Sequence, residues 1–482
     1  MKNPSIVGRK AERAYLDECL AQSAAQLIVI YGRRRVGKTY LVNEYFDNEF
    51  AFKVTGAFDE DKAFQIQTFV DELSRRTGQQ YSADVSWRQV FAWLREYLEQ
   101  LPQDRKHVLF FDEMPWLNSK DASFLTVFEW FWNDWASTRK NLVFIVCGSA
   151  TAWMIEHFEK SKGGLFNRQT CRLYLRPFSL HETEQFLRKK GINWSRYQIA
   201  ECYMIMGGIP YYLNLLSNRL SYPENIDRLF FRHHGLLWDE FEHLYRTLFS
   251  NSGIHIKVAQ ALSGKTGGMT RSELSAKTGI TDNGNLTRIL NNLIASDFVR
   301  VSRFYGKKIK DAKYQLSDYY TAFYFRFLQD RYGQDEHFWM HANDHPARRA
   351  WAGLTFEQLC KDHISQIKQK LGISGVLTEE SVWFSLGDPT LNIPGAQIDL
   401  VITRRDKVIH LCEMKFSINE FTIDKDYDAV LRNKLDAFQR SVCAKDTLLL
   451  TMVTTYGVRQ NMYSGIVQSQ VLLDDLFLPA GM

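Results

Sequence analysis

The sequence predicts an α/β multidomain protein, and three observations predict it. From residue 27 to about 180, short apolar runs alternate with helical patterns. A glycine-rich loop, residues 32–39, falls between one such run and a helix. Beyond residue 345 a second α/β pattern begins, separated from the first by helical segments.

The first block carries apolar runs at residues 27–31, 108–111 and 142–147, which read as buried strands of a parallel sheet. Residues 181–250 lose the alternation and read as helical, with Gly207-Gly208-Ile209-Pro210 as an internal break. Next come helices over 254–262 and from Thr270, where Glu273 completes a capping box, and a third over 282–295. Two strand-like segments, 298–303 and 313–316, flank the basic turn 305–310, so this block reads as a winged helix. The polar stretch 333–349 reads as a linker. After it come a helix over 355–367, strands 398–403 and 408–412, and a helix around 430–440. The expected domains are 1–180, 181–250, 251–332 and 345–482.

Composition narrows the classes. At 482 residues the chain exceeds one compact core, so two to four domains are expected. A hydrophobic content of 45% argues against extensive disorder, and a net charge of +5 leaves any nucleic-acid argument to local clusters. The N-terminus has no apolar core segment and no run approaches a membrane span, so a cytoplasmic protein without a membrane partner is expected. Seven scattered cysteines, none in a CxxC pair, suit reduced thiols rather than zinc or disulfides.

Gly32-Arg33-Arg34-Arg35-Val36-Gly37-Lys38-Thr39 fits G-x4-G-K-[ST] and is followed by Tyr40. Glycines let the loop wrap phosphate closely, so that backbone N–H groups and the helix N-terminus point at the anion. Lys38 is expected on the β/γ-phosphates of ATP and the Thr39 hydroxyl on Mg²⁺. Downstream, an apolar strand ends in Asp112-Glu113. Asp112 there suits the Mg²⁺ shell, and Glu113 suits the activation of water. Ser149, ending another strand, is the candidate sensor of the γ-phosphate.

Val7-Gly8-Arg9, the loop, Phe111-Asp112-Glu113, Cys147-Gly148-Ser149 and Gly207-Gly208-Ile209-Pro210 together resemble the archaeal-type ATPases, in the AAA+/STAND part of the P-loop NTPases. The resemblance covers roughly residues 5–250. It implies a P-loop NTPase parallel sheet with a helical lid, a base contact by Pro210, and a phosphate-reaching arginine at Arg168.

Ile398-Asp399, then Cys412-Glu413-Met414-Lys415, resembles the core of the PD-(D/E)XK nucleases, although the leading Pro-Asp pair is absent. Glu413 and Lys415 lie two apart on a strand and share a sheet face. Asp399 and Glu413 are candidates to hold Mg²⁺, and Lys415 is the candidate to position water or stabilise phosphorane charge. The resemblance adds Glu357 as a third metal ligand, with Lys434 or Gln439 supporting substrate phosphate, in a small α/β nuclease-like domain. The tripeptide alone discriminates little, since Glu60–Lys62, Asp104–Lys106 and Asp311–Lys313 match it too.

In the winged helix, Asn283, Asn285, Thr287 and Arg288 are candidate groove readers. Arg303, Lys307, Lys308, Lys310 and Lys313 are placed to meet phosphates. The expected partner is DNA, with a protein partner docked on the winged helix and a homo-oligomer as further expectations. Three functions stay open: an ATP-controlled enzyme that cleaves DNA, a nucleotide-dependent switch or DNA-binding regulator with a non-catalytic nuclease-like domain, and an ATPase serving a protein partner docked on the winged helix. His181, His233 and His234 receive no role.

Overall fold

The computed structural model describes residues 6–118, 123–160, 164–165, 167–249, 251–307, 312–330, 335–387, 394–442 and 445–479. The chain divides into two compact units, one of Met1–Pro177 with Leu244–Ser252, the other of Phe178–His243 with Gly253–Met482.

The first unit is built on strands β1 (Gln26–Tyr31), β2 (Phe52–Thr55), β3 (His107–Asp112), β4 (Leu142–Gly148) and β5 (Cys171–Tyr174). They form one sheet of order β2-β3-β4-β1-β5, parallel at every pairing. Every residue of β1 and β4 is buried. That is why both read as unbroken apolar runs rather than alternating ones, being covered on both faces. Helices Lys62–Thr77, Trp87–Glu99 and Ser123–Asp134 press an aromatic core onto the sheet. Phe52 meets Phe69 with ring centroids 4.6 Å apart, and Phe91 meets Phe131 at 5.0 Å. Asp61 and Ser86 cap the first two of these helices by accepting from Phe64 N and Gln89 N. Because β4 lies between β1 and β3, Ser149 at its end stands between the glycine-rich loop and Asp112-Glu113.

The second unit begins with helices Leu180–Lys189 and Arg196–Met206, each opened by a capping box at Ser179 and Ser195. Gly207 ends the latter helix at φ 65°, and Gly208 follows at φ 64°. A Cβ on Gly208 would stand 2.2 Å from Phe178 O, so neither the backbone angle nor the space admits another residue. Pro210 then opens the short helix Pro210–Asn214 at a position that needs no N–H donor.

Helices Ser252–Ser263, Arg271–Thr278 and Gly284–Ala295 precede an antiparallel hairpin of β6 (Val299–Ser302) and β7 (Lys313–Leu316). The Thr270–Glu273 capping box is present. The third helix starts two residues later than its apolar pattern suggested, because Asn283 is its cap and accepts from Asn285 N.

The last sheet has order β12-β11-β10-β9-β8, with β8 (Thr378–Ser385), β9 (Ala396–Arg404), β10 (Val408–Lys415), β11 (Thr447–Thr454) and β12 (Ser469–Leu472). β9 runs antiparallel to both β8 and β10, and β10, β11 and β12 run parallel. Helix Lys425–Val442 connects β10 to β11.

The polar stretch read as a linker to residue 349 instead contains the start of helix Pro346–Asp362, with His345 as its cap and Pro346 in its first turn. Arg348 from this helix is buried, donates to both carboxylate oxygens of Glu201 at 3.1 and 3.3 Å, and lies 4.3 Å from the Trp339 ring centroid. Leu180 N donates to His363 Nε2 at 3.0 Å, and Tyr197 stacks on Phe416 at 4.8 Å. The helices after Pro177 are thus packed with the C-terminal sheet in one unit.

Candidate functional site

The glycine-rich loop follows β1 directly. Gly32 has φ 143°, and a Cβ there would stand 2.4 Å from Leu175 O. Gly37 caps helix Lys38–Tyr45 at φ 90°. Both positions require glycine, the first for space and angle, the second for angle. Lys38 is buried, and its ammonium donates to the carbonyls of Gly32 and Arg33, both at 2.9 Å. The cation therefore sits inside the loop. Val36 is buried, Arg33 is buried, Arg34 is half-buried, Arg35 holds φ 71° and Tyr40 is exposed.

Arg9 is a participant whose part only the structure reveals. It is buried at φ 54°, donates to Val36 O at 3.1 Å and pairs with Glu12 at 3.2 Å, so it braces the loop from outside. Its sequence signal was the Val7-Gly8-Arg9 run.

The acids at the end of β3 meet this loop. Thr39 Oγ1 donates to Asp112 Oδ2 at 2.8 Å. Glu113 holds a left-handed backbone, φ 46° and ψ 48°, which costs a non-glycine residue ~1 kcal/mol or more. That turn carries its carboxylate to Ser149, whose N and Oγ donate to Glu113 Oε2 at 2.9 and 2.8 Å. Thr39, Asp112, Glu113 and Ser149 are thus brought together, and Ser149 is bonded to Glu113. Arg168 is exposed on a turn closed by its own N–H on Leu165 O at 3.1 Å. Pro210 lies in the second unit, half-buried at the start of its short helix.

The second cluster lies on the C-terminal sheet. β9 and β10 pair from Thr403–Ile409 to Leu400–Cys412, and both strands continue beyond that last pair. Where the ladder stops, Asp399 Oδ2 accepts from Met414 N at 3.3 Å. Asp399 and Glu413 are both buried. Glu413 accepts from Tyr427 Oη at 2.9 Å and Lys434 Nζ at 2.7 Å, and it pairs with Lys415 Nζ at 3.1 Å. Lys415 remains partly open, its side chain 31% exposed.

Electrostatics divides the three acids. Burial works to raise the Glu413 carboxyl, yet Lys434 and Lys415 overcome it and hold the group below its ordinary range. Asp399 is pushed up by burial and then by the Glu413 charge. Glu357, on helix Pro346–Asp362, is pushed up to about 7, by burial first and the Asp399 charge second. It has no hydrogen-bond or ion-pair partner among the described residues. In the present rotamers no three acid, histidine or cysteine side chains among the described residues form a ready metal cluster.

In the hairpin, Lys307 and Lys313 stand over the Phe384 ring at 5.4 and 4.7 Å. Lys308 and Lys310 lie outside the described residues. Asn283, Asn285, Thr287 and Arg288 are exposed on one end of helix Gly284–Ala295. The six described cysteines are free and buried. No helix among the described residues is long and apolar enough to cross a membrane.

Residues 6–216 match the family model of an ATPase domain predominantly from Archaea. The match covers less than half of the chain and likens residues 6–216 to an archaeal-type ATPase domain. Over nearly its full length the chain is similar to an uncharacterised protein of Methanocaldococcus jannaschii, 24% identical over 437 residues, which are 89% of this chain and 92% of the relative. Among solved structures it is similar to a Walker-type ATPase of Pyrococcus abyssi, at 17% identity and TM-score 0.46, over 68% of this chain and 98% of that one. It is also similar to the ORC2 protein of Aeropyrum pernix, solved as ADPNP–ADP complexes, at 13% identity and TM-score 0.40, over 76% and 97%. The ATPase domain supplies the nucleotide-binding function.

Proposed function

We propose that the protein hydrolyses ATP at the N-terminal loop and acts on DNA, whose phosphodiester bonds the C-terminal site cleaves. The observation that carries the second half is the gathering of Glu357, Asp399 and Glu413 beside Lys415, where burial and the Asp399 charge hold the Glu357 carboxyl up despite Lys361 and Lys415. Hard carboxylate oxygens suit Mg²⁺. Glu357, Asp399 and Glu413 are its proposed holders, and the ion when bound supplies phosphate charge neutralisation and a more acidic water.

The chain's own groups have separate tasks. Lys415 shares a sheet face with Glu413 and is partly open, so it stabilises charge on the scissile phosphate. Lys434 lies across Glu413 and keeps that buried carboxylate ionised. In the ATPase domain, Lys38 exchanges the carbonyls of Gly32 and Arg33 for the β/γ-phosphates. Thr39 and Asp112 offer adjacent hard oxygens for the Mg²⁺ that accompanies ATP. Glu113, once released by Ser149, takes the proton of the attacking water. DNA is met by the exposed Asn285, Thr287 and Arg288 of the winged helix.

A second reading is a nucleotide-dependent switch or DNA-binding regulator with the nuclease-like domain as scaffold. It is favoured by Glu413, whose oxygens are already engaged by Tyr427, Lys434 and Lys415. ATP hydrolysis and plasmid nicking measured side by side separate the two. Asp399→Ala is expected to lose nicking and keep ATP turnover, and Glu113→Gln to keep ATP binding and lose turnover by ~10²-fold or more. Nicking that persists in Asp399→Ala, or never occurs in the wild type, gives the regulator the better claim.

A further inference from the structure

A cleft of about 830 Å³ opens between the loop after β6 and the outer strands of the C-terminal sheet. The hairpin forms one wall because it is fastened to the sheet edge. Val382 N donates to Arg303 O and Tyr305 N to Val382 O, both at 3.0 Å, and the Tyr305 ring meets Phe438 at 5.1 Å. Lys361, one helical turn after Glu357, also lines the cleft.

Three polar groups facing this cleft lack protein partners among the described residues. Lys361 has no hydrogen bond or ion pair among the described residues, although burial lowers its pKa and the charges of Glu357 and Asp399 reach it. A desolvated ammonium left unpaired is costly unless an anion joins it. Arg303 is exposed, and its guanidinium has no partner among the described residues. Ser381 Oγ is buried and bonds to nothing described. The acids of the lining do not cancel these charges. Glu380 is engaged by Lys368 and by Thr378 at 3.2 Å, which leaves Glu379 against Arg303, Lys307 and Lys361.

A cationic groove with aromatic neighbours is the pattern that tracks a single nucleic-acid strand. The volume is that of an ordinary ligand pocket, ~300–1,000 Å³, which a few nucleotides of one strand can occupy and a duplex cannot. We propose that this cleft seats a single strand of DNA, its phosphates on Arg303 and Lys361 and its path leading past Lys361 to Glu357 and Asp399. The inference rests on the nuclease reading for its outcome but not for its test.

That test is strand binding by the full chain in EDTA, where nothing is cut. A fluorescent oligothymidine of about 15 nucleotides is titrated beside a duplex of the same length. Wild type is expected to bind the single strand. Arg303→Ala and Lys361→Gln each weaken it by ~5–10-fold, and together they reduce the log–log salt slope by about 1.4. Duplex affinity stays within about twofold, and Lys361→Arg restores the strand. Arg303 is exposed, so its variant reports even if Lys361→Gln folds poorly. No binding of the strand by wild type, unchanged strand affinity in Arg303→Ala, or equal loss for strand and duplex overturns the proposal. Strand binding that depends on both residues in a protein that never cuts DNA removes the nuclease reading and leaves the cleft standing.

Discussion

The two acid clusters of this chain stand at strand ends beside lysines, yet they are held in opposite ways. In the ATPase domain, Asp112 and Glu113 accept from neutral donors, Thr39 Oγ1, Ser149 N and Ser149 Oγ. Lys38 stays apart from them on loop carbonyls. On the C-terminal sheet the lysines bond an acid directly, and their direct contacts go to Glu413. Asp399 is pushed up by burial and the Glu413 charge, and Glu357 by burial and the Asp399 charge, more than the lysines offset. The first arrangement can exchange hydroxyl bonds for ligand bonds at little electrostatic cost. The second sets three buried or half-buried carboxylates against Lys361, Lys415 and Lys434, so any change in it moves charge.

The largest effect expected from breaking this contrast is at Lys38. Two charge-assisted contacts to phosphate, at ~1.5–3 kcal/mol each, give a loss of ~10²–10⁴-fold in ATP affinity for Lys38→Ala. Calorimetric titration with ATP checks it, and equal affinity in the two proteins would refute the assignment of the loop.

Next in size is the buried pair Arg348–Glu201, with side chains only 5% and 7% exposed. Arg348→Ala leaves Glu201 charged and buried, so the second unit should lose ~3–5 kcal/mol in urea unfolding. The double variant Arg348→Met with Glu201→Met should recover most of that loss. No recovery would show that Trp339 packing, rather than charge, dominates there.

A smaller effect sharpens the charge argument. The Glu357 carboxyl is raised in the folded chain, so its contribution is fully present below its unfolded value of about 4.3 and is lost as pH rises through about 7. In metal-free protein, Glu357→Gln should therefore stabilise the second unit at pH 8 by on the order of 2–3 kcal/mol and do nothing at pH 4. Equal melting of both proteins at pH 8 would remove the frustrated acid from the account.

Much of this was legible in the sequence, and the losses have physical causes. The loop, Asp112-Glu113 and Ser149 are set by local spacing and by strands buried on both faces, and these leave a plain apolar signature. β2 and β5 escaped because four residues, Phe52–Thr55 and Cys171–Tyr174, carry too little periodicity. β8 escaped because among its eight residues only Trp383 is buried. The helix at Pro346 was hidden by its own cap, whose polar residues read as a linker. Lys434 was expected on substrate phosphate and instead bonds Glu413, a pairing made by docking helix Lys425–Val442 on the sheet, which no local pattern encodes.

If the C-terminal acids take up a divalent cation as proposed, its binding displaces protons, and that release is the decisive observable. Mn²⁺ is titrated into nucleotide-free protein at pH 7 in buffers of different ionisation enthalpy. With Glu357 near its midpoint, at about 7, binding should release roughly half a proton from that group. The release should fall away in Glu357→Gln, and binding itself should weaken in Asp399→Asn. Heats that do not depend on the buffer, or Mn²⁺ binding indifferent to Asp399→Asn, would contradict the claim.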